Sequence, residues 1–458
     1  MTPEEIVERV KAAGIVGAGG AGFPTHVKIV AKNVDTVIAN GAECEPMLRC
    51  DQQLMAAHPD LVIRGMRLVM QAVGAQRGLI AVKAHYVHAV AALQAELDRQ
   101  KDSDDARAWP VSLHIIEKST YPAGDEFCLV YEVTGRLIPE AGLPLNVGCV
   151  VQNVGTLTNI ARAVDEGKPV THRYVTINGE VKSPRTVYAP LGMSFDKVIE
   201  LAGGYTRGSN EVKVVVGGPM TGHLVSDLKA ETITKTTGGI LVLPVENEVV
   251  RFMSRSLDLW TRRGKASCDQ CRDCTVLCPR HLLGHGFSPH EIMRAGAYGI
   301  NVKNDVLTGA VLCCECRLCE AYSCPLELSP MQFYRKMKRE LAASGWKNDV
   351  HRRADLTPDA FREERLVPTE RLVARLGVGI YHSGTVDWDE SDVRADRVSI
   401  GLKQHIGVPA APVVAVGDTV VAGQLIASPA EGKLGANIHA SISGRIASVT
   451  DKAIVIEA

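Results

Sequence analysis

The sequence predicts a multidomain protein that combines α/β and α+β units, and three observations support this fold class. The chain has 458 residues, which corresponds to about three or four domains of roughly 100 to 200 residues each. Helix and strand patterns alternate over residues 1–165, whereas residues 391–458 carry only short strand patterns punctuated by glycine and proline. Between these ends, residues 249–345 contain two regularly spaced runs of cysteine.

The composition excludes several classes of protein. Lys and Arg total 51 and Asp and Glu total 52, a net charge of −1, so no strong field would attract nucleic acid or an anionic membrane. No apolar run approaches the ~18 to 20 residues of a membrane helix, and the start lacks a signal peptide's basic and apolar regions. We therefore expect a cytoplasmic protein without a membrane span, in which cysteine runs bind metal rather than form disulfides.

Residues 1–165 follow the βαβ pattern of a largely parallel α/β sheet. An amphipathic helix leads into a glycine-rich loop, and short apolar runs then alternate with longer amphipathic stretches. The predicted helices span residues 3–13, 61–73 and 86–97, and the predicted strands span residues 36–39, 79–82 and 112–116.

The rest of the chain divides into four parts. Residues 166–248 show a period of two with one short helical stretch, which predicts a small α+β module. Residues 249–345 combine the cysteine runs with helices, and residues 346–390 form a charged, partly helical connecting segment. Residues 391–458 predict a compact all-β module, because short strands there alternate with turn residues.

The first cysteine run has the spacing of bacterial ferredoxins, and the second has the same pattern with one extra residue before its last cysteine. In such proteins each tight triplet surrounds one cubane cluster, and the distant Cys-Pro cysteine serves the other cluster. Two runs therefore imply two 4Fe-4S clusters. The first predicted ligand set is Cys268, Cys271, Cys274 and Cys324. The second predicted ligand set is Cys313, Cys316, Cys319 and Cys278.

Two alternatives to this ligand assignment remain open. Structural zinc sites also use paired cysteines, but they would leave the third cysteine of each triplet and the Cys-Pro dipeptides unexplained. Cys314, beside Cys313, could replace it as a ligand, although we favour a spare thiol. The scattered cysteines are interpreted as small buried hydrophobic residues; they are Cys44, Cys50, Cys128 and Cys149.

A glycine loop at residues 17–22 matches G-x-G-x-x-G, but its surroundings differ from those of a dinucleotide fingerprint. That fingerprint needs a strand before it and a helix at its third glycine, whereas here a helix precedes the loop and Phe23-Pro24 follows it. Successive glycine N–H groups can still approach a phosphate or a flavin closely. A plain structural turn is the alternative.

Four ordered motifs carry a family resemblance: GAGGAGFPTHVK at 17–28, NGAECEP at 40–46, YPAGDE at 121–126 with TGR after it, and QNVGT at 152–156. They resemble the flavin- and NADH-binding subunits of respiratory complex I and its Rnf-type relatives. This resemblance implies a Rossmann-like FMN/NADH-binding domain at residues 1–165. Residues 166–248 resemble the SLBB β-grasp module, and residues 391–458 resemble the barrel-sandwich hybrid domain of Rnf C subunits.

The order of the modules narrows the choice among the related families. Rnf C subunits carry the barrel-sandwich domain first, whereas here it comes last. This order, with a two-cluster ferredoxin-like domain at residues 249–345, is similar to the cobalamin reductase family of bacterial propanediol-utilisation microcompartments. The resemblance covers nearly the whole chain and is weakest over the connecting segment, residues 346–390.

The resemblance assigns roles to individual residues. The residues that match FMN contacts are Gly17, Gly19, Lys28, Asn40, Glu43, Gly124, Asp125, Glu126, Asn153 and Thr156. The residues that match NADH contacts are Phe23, Glu45 and Glu126. Three positions depart from the family pattern: Ala42 replaces a frequent aspartate, Asp125 a glutamate and Gln152 an asparagine. Electron transfer requires no general acid or base, so no catalytic residue is nominated.

The resemblance implies an NADH-dependent FMN and iron-sulfur reductase that takes cob(III)alamin to cob(II)alamin and cob(I)alamin. Its product would feed a corrinoid adenosyltransferase in 1,2-propanediol utilisation, inside a bacterial microcompartment. Microcompartment shell proteins and a second copy of the chain are further candidate partners. The alternatives are a soluble Rnf-like electron-transfer subunit, and a non-catalytic electron-carrying or docking module with a decayed flavin site. The D-x-H-x-x-G signature of base-off cobalamin proteins is absent from the sequence.

Overall fold

The computed structural model describes residues 1–298 and 304–458. Within these ranges the strands form sheets of four, six, two, four and three strands, and most helices belong to the first unit or to the cysteine region. None of the helices in the described ranges is both long and apolar enough to span a membrane.

The first unit contains the parallel sheet that the alternating pattern predicts. Its four main strands are hydrogen-bonded in the order β3-β2-β1-β5, and every pairing is parallel. The strands are β1 (Thr36–Gly41), β2 (Arg77–Lys83), β3 (Val111–Ile116), β4 (Thr120–Tyr121) and β5 (Cys149–Asn153). The register pairs Asn40 with Asn153, so the carboxyl ends of β1 and β5 lie side by side. Ligands of open α/β sheets bind at such an edge.

Helices cover both faces of this sheet. They are α1 (Pro3–Ala12), α2 (Thr25–Lys28), α3 (Cys50–Ala57), α4 (Pro59–Val73), α5 (Val87–Gln100), α6 (Asp104–Ala108), α7 (Glu126–Thr134) and α8 (Val154–Glu166). A short 3-10 helix, Pro144–Val147, precedes β5. Helix α4 packs closely on α8, because Gly65 lies so near the Leu157 carbonyl that a Cβ at residue 65 would clash with that oxygen.

The second unit is a mixed sheet with one helix, α9 (Phe195–Leu201). Its strands are β6 (His172–Gly179), β7 (Arg185–Pro190), β8 (Val212–Val216), β9 (His223–Leu224) and β10 (Gly239–Pro244). The strand order is β7-β6-β10-β8-β9, and a further strand from residues 387–389 extends the sheet beside β7. Almost every residue of β6 and β10 is buried, so both faces of this sheet are covered at its centre.

The cysteine region is helical. Its helices are α10 (Glu248–Met253), α11 (Leu257–Ser267), α12 (Asp273–Val276), α13 (Pro279–Leu282), α14 (Pro289–Tyr298), α15 (Asn304–Thr308), α16 (Leu318–Ala321) and α17 (Pro330–Ala343), with a 3-10 helix at Gly309–Leu312. Its core contains Phe287, Ile292, Phe333 and Tyr334, and the buried Cys278 belongs to the same cluster. The cysteine loops therefore sit on a small apolar core.

Residues 346–390 do more than connect two units. They form α18 (Arg362–Arg365), β11 (Val367–Pro368), α19 (Thr369–Leu376), α20 (Gly379–His382) and β12 (Asp387–Asp389). Strand β11 pairs with β4 of the first unit, and β12 pairs with β7 of the second unit. The sequence indicated only a partly helical connection, because strands of two or three residues leave no periodic signal.

The C-terminal unit is all-β, as its turn-rich sequence predicts. Its strands are β13 (Arg397–Gly401), β14 (Ala411–Pro412), β15 (Thr419–Val420), β16 (Leu425–Ser428), β17 (Ile438–His439), β18 (Gly444–Val449) and β19 (Ala453–Glu457), in two sheets. The buried Lys235 fastens this unit to the others, because its Nζ donates to the carbonyls of Gly14 and Asn437, each at 2.6 Å. Burial lowers the pKa of Lys235 to about 7.

The close contact between α4 and α8 predicts the effect of a single methyl group. We expect Gly65→Ala to lower the free energy of unfolding by about 1–3 kcal/mol, since overpacking outweighs the ~1 kcal/mol that alanine gains in a helix. Urea denaturation of the full chain measures the change. Gly379→Ala is the control, because a Cβ at residue 379 meets no atom within 4 Å. Equal stability of the two variants would contradict this packing.

Candidate functional site

The glycine loop lies against the start of α8. The Ala18 N–H donates to Thr156 Oγ1 at 2.9 Å, and Arg173 Nη2 donates to the Ala18 carbonyl at 2.8 Å. A Cβ on Gly19 would lie 3.4 Å from the Cβ of Asn153, so the loop backbone runs directly beside the helix N-terminus. Free N–H groups and the helix dipole favour an anion at such a place. Gly17, Gly19, Asn153 and Thr156 are thus brought together.

A second group of predicted residues surrounds the end of β1. Asn40 Nδ2 donates to the Gly124 carbonyl at 2.9 Å, and Asn40 Oδ1 accepts from the Ala42 N–H at 3.2 Å. A Cβ on Gly124 would lie 2.5 Å from the Ala42 carbonyl oxygen. Glycine at 124 therefore lets the loop before α7 close onto the strand end.

Lys28 and Glu126 form an ion pair at the same edge. Lys28 Nζ lies 3.3 Å from Glu126 Oε1 and donates to the Val151 carbonyl at 3.0 Å. The Lys28 side chain is 24% exposed and the Glu126 side chain is 43% exposed. The pair is therefore reachable by a solute, and it places one positive and one negative group beside β5.

Beneath these residues lies a buried acidic cluster that the sequence did not reveal. Cys50 Sγ donates to Glu43 Oε1 at 3.1 Å, and Asn153 Nδ2 donates to Asp51 Oδ2 at 2.7 Å. Burial raises the pKa of both carboxyl groups, and the nearby Asp51 charge raises the pKa of Glu43 further. Cys50 is thus buried, as expected, but it serves as a hydrogen-bond donor. Nothing in the local sequence marks Asp51.

The residues present fit a bound flavin. In the described part of the chain, the buried Glu43 Oε2 and Gln152 Nε2 have no hydrogen-bond partner. Buried polar atoms are normally satisfied, so both atoms point to a polar ligand. The glycines of the loop and Gly124 leave the backbone accessible around them. A phosphate at the start of α8 and a planar polar ring near β1 match this set of groups.

Glu45 forms hydrogen bonds with the second unit. Its Oε2 accepts from the Met220 N–H at 2.9 Å, and its Oε1 accepts from the N–H and Oγ1 of Thr221 at 2.9 and 2.7 Å. Both oxygens are therefore engaged by a turn of the second unit. Phe23 is half-buried at the end of the glycine loop, where its carbonyl accepts from Gly17 at 2.9 Å. The NADH contacts of Phe23, Glu45 and Glu126 stay predictions.

Asp125 joins the first unit to the cysteine region. Its Oδ1 accepts from the N–H groups of Phe127 and Cys128 and so caps α7. The same carboxylate accepts two hydrogen bonds from Arg280, at 2.7 and 2.9 Å. The cofactor contact predicted for Asp125 stays a prediction, while the structure assigns this side chain to an ion pair. Arg280 follows the Cys278-Pro279 dipeptide, a position that could have drawn attention to it.

The two cysteine triplets have the same backbone conformation. Positive φ angles occur two and four residues after the first cysteine of each run. These are Gln270 at 62° and Arg272 at 73° in the first run, and Glu315 at 57° and Arg317 at 65° in the second run. The repeat aligns Cys313 with Cys268, which supports Cys313 rather than Cys314 as the first cysteine of the second loop.

The thiols gather into two groups. One cavity is lined by Cys268, Cys271, Cys274 and Cys324. Burial raises the pKa of Cys319, and the nearby Cys313, Cys274 and Cys278 thiols raise it further. Thiolates that disfavour one another in this way need a cation among them, and iron supplies one in a cubane cluster. Cys324 lines the cavity of the first triplet, as the predicted exchange requires, while Cys274 lies near thiols of both sets. The two ligand sets stay predictions, and their thiol donors fit iron-sulfur clusters.

Direct contacts hold the second cysteine loop to the first unit. Tyr121 donates its hydroxyl to the Cys316 carbonyl at 2.9 Å. On the other side of this loop, Lys338 Nζ donates to the Cys313 carbonyl at 2.6 Å. The pKa of the Cys314 thiol is lowered, mainly by its hydrogen bond with Cys316. The Arg280 charge lowers this pKa further, and the Asp125 charge raises it. The ion pair therefore lies within electrostatic reach of the loop.

Four family models match successive parts of the chain. The Nuo51 FMN-binding domain matches residues 10–162, and the SLBB domain matches residues 174–223. The 4Fe-4S dicluster domain matches residues 267–329, and the RnfC barrel-sandwich hybrid domain matches residues 390–458. These matches confirm the kinds of module that the sequence predicted and their order.

Whole-chain relatives decide the family. "Cobalamin reductase PduS" of Citrobacter freundii is 43% identical over 455 residues, which cover 99% of this chain and 96% of that protein. "Cobalamin reductase PduS" of Salmonella typhimurium is 43% identical over 457 residues, 100% of this chain and 97% of that protein. The chain belongs to the PduS cobalamin reductase family. The resemblance inferred from the motifs is thereby confirmed.

Two other similarities are more partial. One component of the Na⁺-translocating ferredoxin:NAD⁺ oxidoreductase complex of Acetobacterium woodii is 38% identical over 288 residues, 62% of this chain and 59% of that protein. A solved NAD⁺-reducing [NiFe]-hydrogenase has a TM-score of 0.52 at 21% identity, covering 78% of this chain and 69% of that chain. The hydrogenase likeness concerns the fold alone.

The repeat of the two loops predicts which adjacent cysteine binds metal. We expect Cys313→Ser to lose about half of the iron and sulfide, because one of two ligand sets loses a thiolate. Cys314→Ser is the matched control and should keep its full iron content. Iron and sulfide analysis of anaerobically purified protein measures both. The opposite pattern, with iron lost only from the Cys314 variant, would contradict the aligned register.

Proposed function

We propose that this protein is an oxidoreductase that reduces cobalamin with electrons from NADH, by way of FMN and two 4Fe-4S clusters. Cob(III)alamin would be reduced to cob(II)alamin and then to cob(I)alamin in one-electron steps. The residues of the first unit that match cofactor contacts are called the flavin-type site below. The observation that carries the proposal is that this site contacts the cysteine region directly: Asp125 pairs with Arg280, and Tyr121 bonds to Cys316. The names of the whole-chain relatives supply the acceptor.

The residues of the first unit would bind and orient the flavin. The glycine loop and the N-terminus of α8 offer backbone N–H groups to its phosphate, and Thr156 keeps the loop in place through Ala18. Asn40 holds the loop of Gly124 against the strand end, and Glu43 offers its unpartnered Oε2 to the ligand. When bound, FMN converts hydride transfer into single-electron transfer, and iron-sulfur clusters carry one electron each.

The partly exposed Lys28–Glu126 pair would receive NADH. It lies beside β5, and neither side chain is fully buried, so a soluble dinucleotide can reach it. Lys28 also offers positive charge to the phosphate or to reduced flavin. Glu45 would contribute only if its two oxygens left the Met220–Thr221 turn, which would cost three hydrogen bonds.

The domain limits and the cluster ligands are part of the same proposal. We propose units at residues 1–165, 166–248, 249–345 and 391–458, with residues 346–390 joining them. The first cluster would be bound by Cys268, Cys271, Cys274 and Cys324. The second cluster would be bound by Cys278, Cys313, Cys316 and Cys319. The cavity shared by the first four cysteines and the repeated loop conformation support this division.

The proposed setting follows from the family. We propose a cytoplasmic protein inside a bacterial microcompartment, where it would pass reduced corrinoid to an adenosyltransferase for 1,2-propanediol utilisation. Contacts with shell proteins and with a second copy of the chain belong to the same proposal. Only the family resemblance supports the proposal of these partners.

A second candidate function is an electron-carrying module that does not oxidise NADH. Two acidic residues that match family contacts, Glu45 and Asp125, are engaged by protein groups, and Ala42 lacks the carboxylate frequent in relatives. This arrangement would weaken NADH binding while leaving the clusters intact. The Rnf-type alternative is less favoured, because that relative aligns over only 62% of this chain.

An anaerobic spectrophotometric titration distinguishes the two functions. We expect NADH to bleach flavin and cluster absorbance, and added cob(III)alamin to restore it as cob(II)alamin forms. Lys28→Met should slow NADH-driven bleaching by about 10-fold or more, since a lost charged hydrogen bond costs ~1.5–3 kcal/mol. Dithionite should still bleach that variant.

Lys118→Met is the matched control. Lys118 is 63% exposed, pairs with Glu363 and is not one of the residues that match cofactor contacts, so the variant should behave as wild type. If NADH bleaches nothing although FMN and iron are bound, the NADH route is wrong and the second candidate replaces it.

A further inference from the structure

A buried ion pair lies between the flavin-type unit and the second cysteine loop. Arg280 donates Nη1 and Nη2 to the two oxygens of Asp125 at 2.7 and 2.9 Å. The Arg280 side chain is 7% exposed and the Asp125 side chain 15% exposed. The guanidinium carbon also lies 3.7 Å from the centre of the Phe127 ring. Two hydrogen bonds and a stacked ring fix the position of both charges.

The two charges are fixed close to one predicted ligand set. Arg280 is two residues after the buried Cys278, and Cys278 lies near Cys313 and Cys314. Asp125 reaches Arg280 from the first unit, where it caps α7. The groups that act electrostatically on Arg280 include the Cys314 and Cys128 thiols as well as Asp125. The pair therefore belongs to the surroundings of the second loop.

Fixed charges in this position act on electron affinity. Reduction of a 4Fe-4S cluster adds one negative charge, and protein charges and hydrogen bonds near the cluster set its reduction potential. Water screens poorly here, because both side chains are largely buried. A nearby cation favours the reduced cluster, and a nearby carboxylate disfavours it.

We propose that the Asp125–Arg280 pair sets the reduction potential of the cluster bound by Cys278, Cys313, Cys316 and Cys319. Arg280 raises this potential, and Asp125 limits the increase. The proposal rests on the two-cluster assignment of the proposed function. It makes Arg280 and Asp125 positioning and tuning residues rather than cluster ligands.

The pair also couples the potential to the contact between the two units. Asp125 is on the first unit and Arg280 is on the cysteine region, so the charges neutralise each other only while the units are in contact. Loss of the contact would leave Arg280 without its carboxylate and would raise the electron affinity of the cluster. The docked arrangement therefore keeps the cluster a better electron donor to a downstream acceptor.

Single removals of each charge test the proposal. EPR-monitored redox titration of the anaerobically purified holoprotein is carried out on Arg280→Met, Asp125→Asn and the double variant. We expect the reduction potential of the cluster bound by the second ligand set to fall in Arg280→Met and to rise in Asp125→Asn. The double variant should lie between the two single variants. The reduction potential of the other cluster, bound by the first ligand set, should change less.

Two control variants separate an electrostatic effect on the cluster potential from a loosened contact between the first unit and its neighbours. Arg353→Met breaks an ion pair between the connecting segment and the first unit, in which Arg353 Nη2 lies 2.6 Å from Glu140 Oε1. No cysteine is among the groups that act on Glu140 in the described chain, so the cluster potentials should be unchanged. Arg280→Lys keeps the charge but loses the bidentate geometry, so it should destabilise the protein with a smaller change in potential.

The outcomes distinguish failure of this proposal from failure of the proposed function. Shifts of both single variants in the same direction, or no shift in protein that contains about eight irons per chain, would overturn the tuning role. About four irons per chain in the wild type would instead overturn the two-cluster assignment. If Arg280→Met does not fold, Asp125→Asn still tests for a shift in the reduction potential, and Arg280→Lys serves as its control.

Discussion

The ion pair between Asp125 and Arg280 is the contact on which the rest of the molecule depends. Electrons can pass from a flavin to iron-sulfur clusters only if the two binding regions keep a short and constant separation. The pair fixes the two regions against each other, because Asp125 also begins α7 and Arg280 also follows the Cys278-Pro279 dipeptide. Desolvation offsets much of the attraction in a buried ion pair, so its contribution here is geometric specificity more than net stability.

Other contacts between units serve the same geometry. Within residues 346–390, strand β11 forms a two-stranded sheet with β4 of the first unit, and β12 extends the sheet of the second unit. Lys235 bonds both to the loop after α1 and to the C-terminal unit, and Glu45 fastens the end of β1 to a turn near Thr221. The modules are separate in sequence, but polar side chains such as Lys235, Glu45 and Asp125 form hydrogen bonds with neighbouring modules.

The sequence was informative wherever a local repeat determined the structure. Alternating helix and strand patterns predicted the parallel sheet, and cysteine spacing predicted two similar loops, which share one pattern of positive φ angles in the structure. The helix before the glycine loop correctly argued against an ordinary dinucleotide fingerprint. Partners distant along the chain could not be predicted, because nothing near Asp125 specifies Arg280, and nothing near Glu45 specifies Thr221. The strands β11 and β12 carried no periodic signal, because two or three residues are too few to show one.

Stopped-flow absorbance of a cluster-deficient variant tests most directly whether electrons enter at the flavin and leave through the clusters. In Cys319→Ser, with Cys314→Ser as the matched control, NADH should reduce the flavin at a rate within about twofold of wild type. Formation of cob(II)alamin should fall by more than about 10-fold, a barrier increase of ~1.4 kcal/mol or more. Cobalamin reduction at the wild-type rate in Cys319→Ser would contradict the account, because electrons would then bypass the clusters.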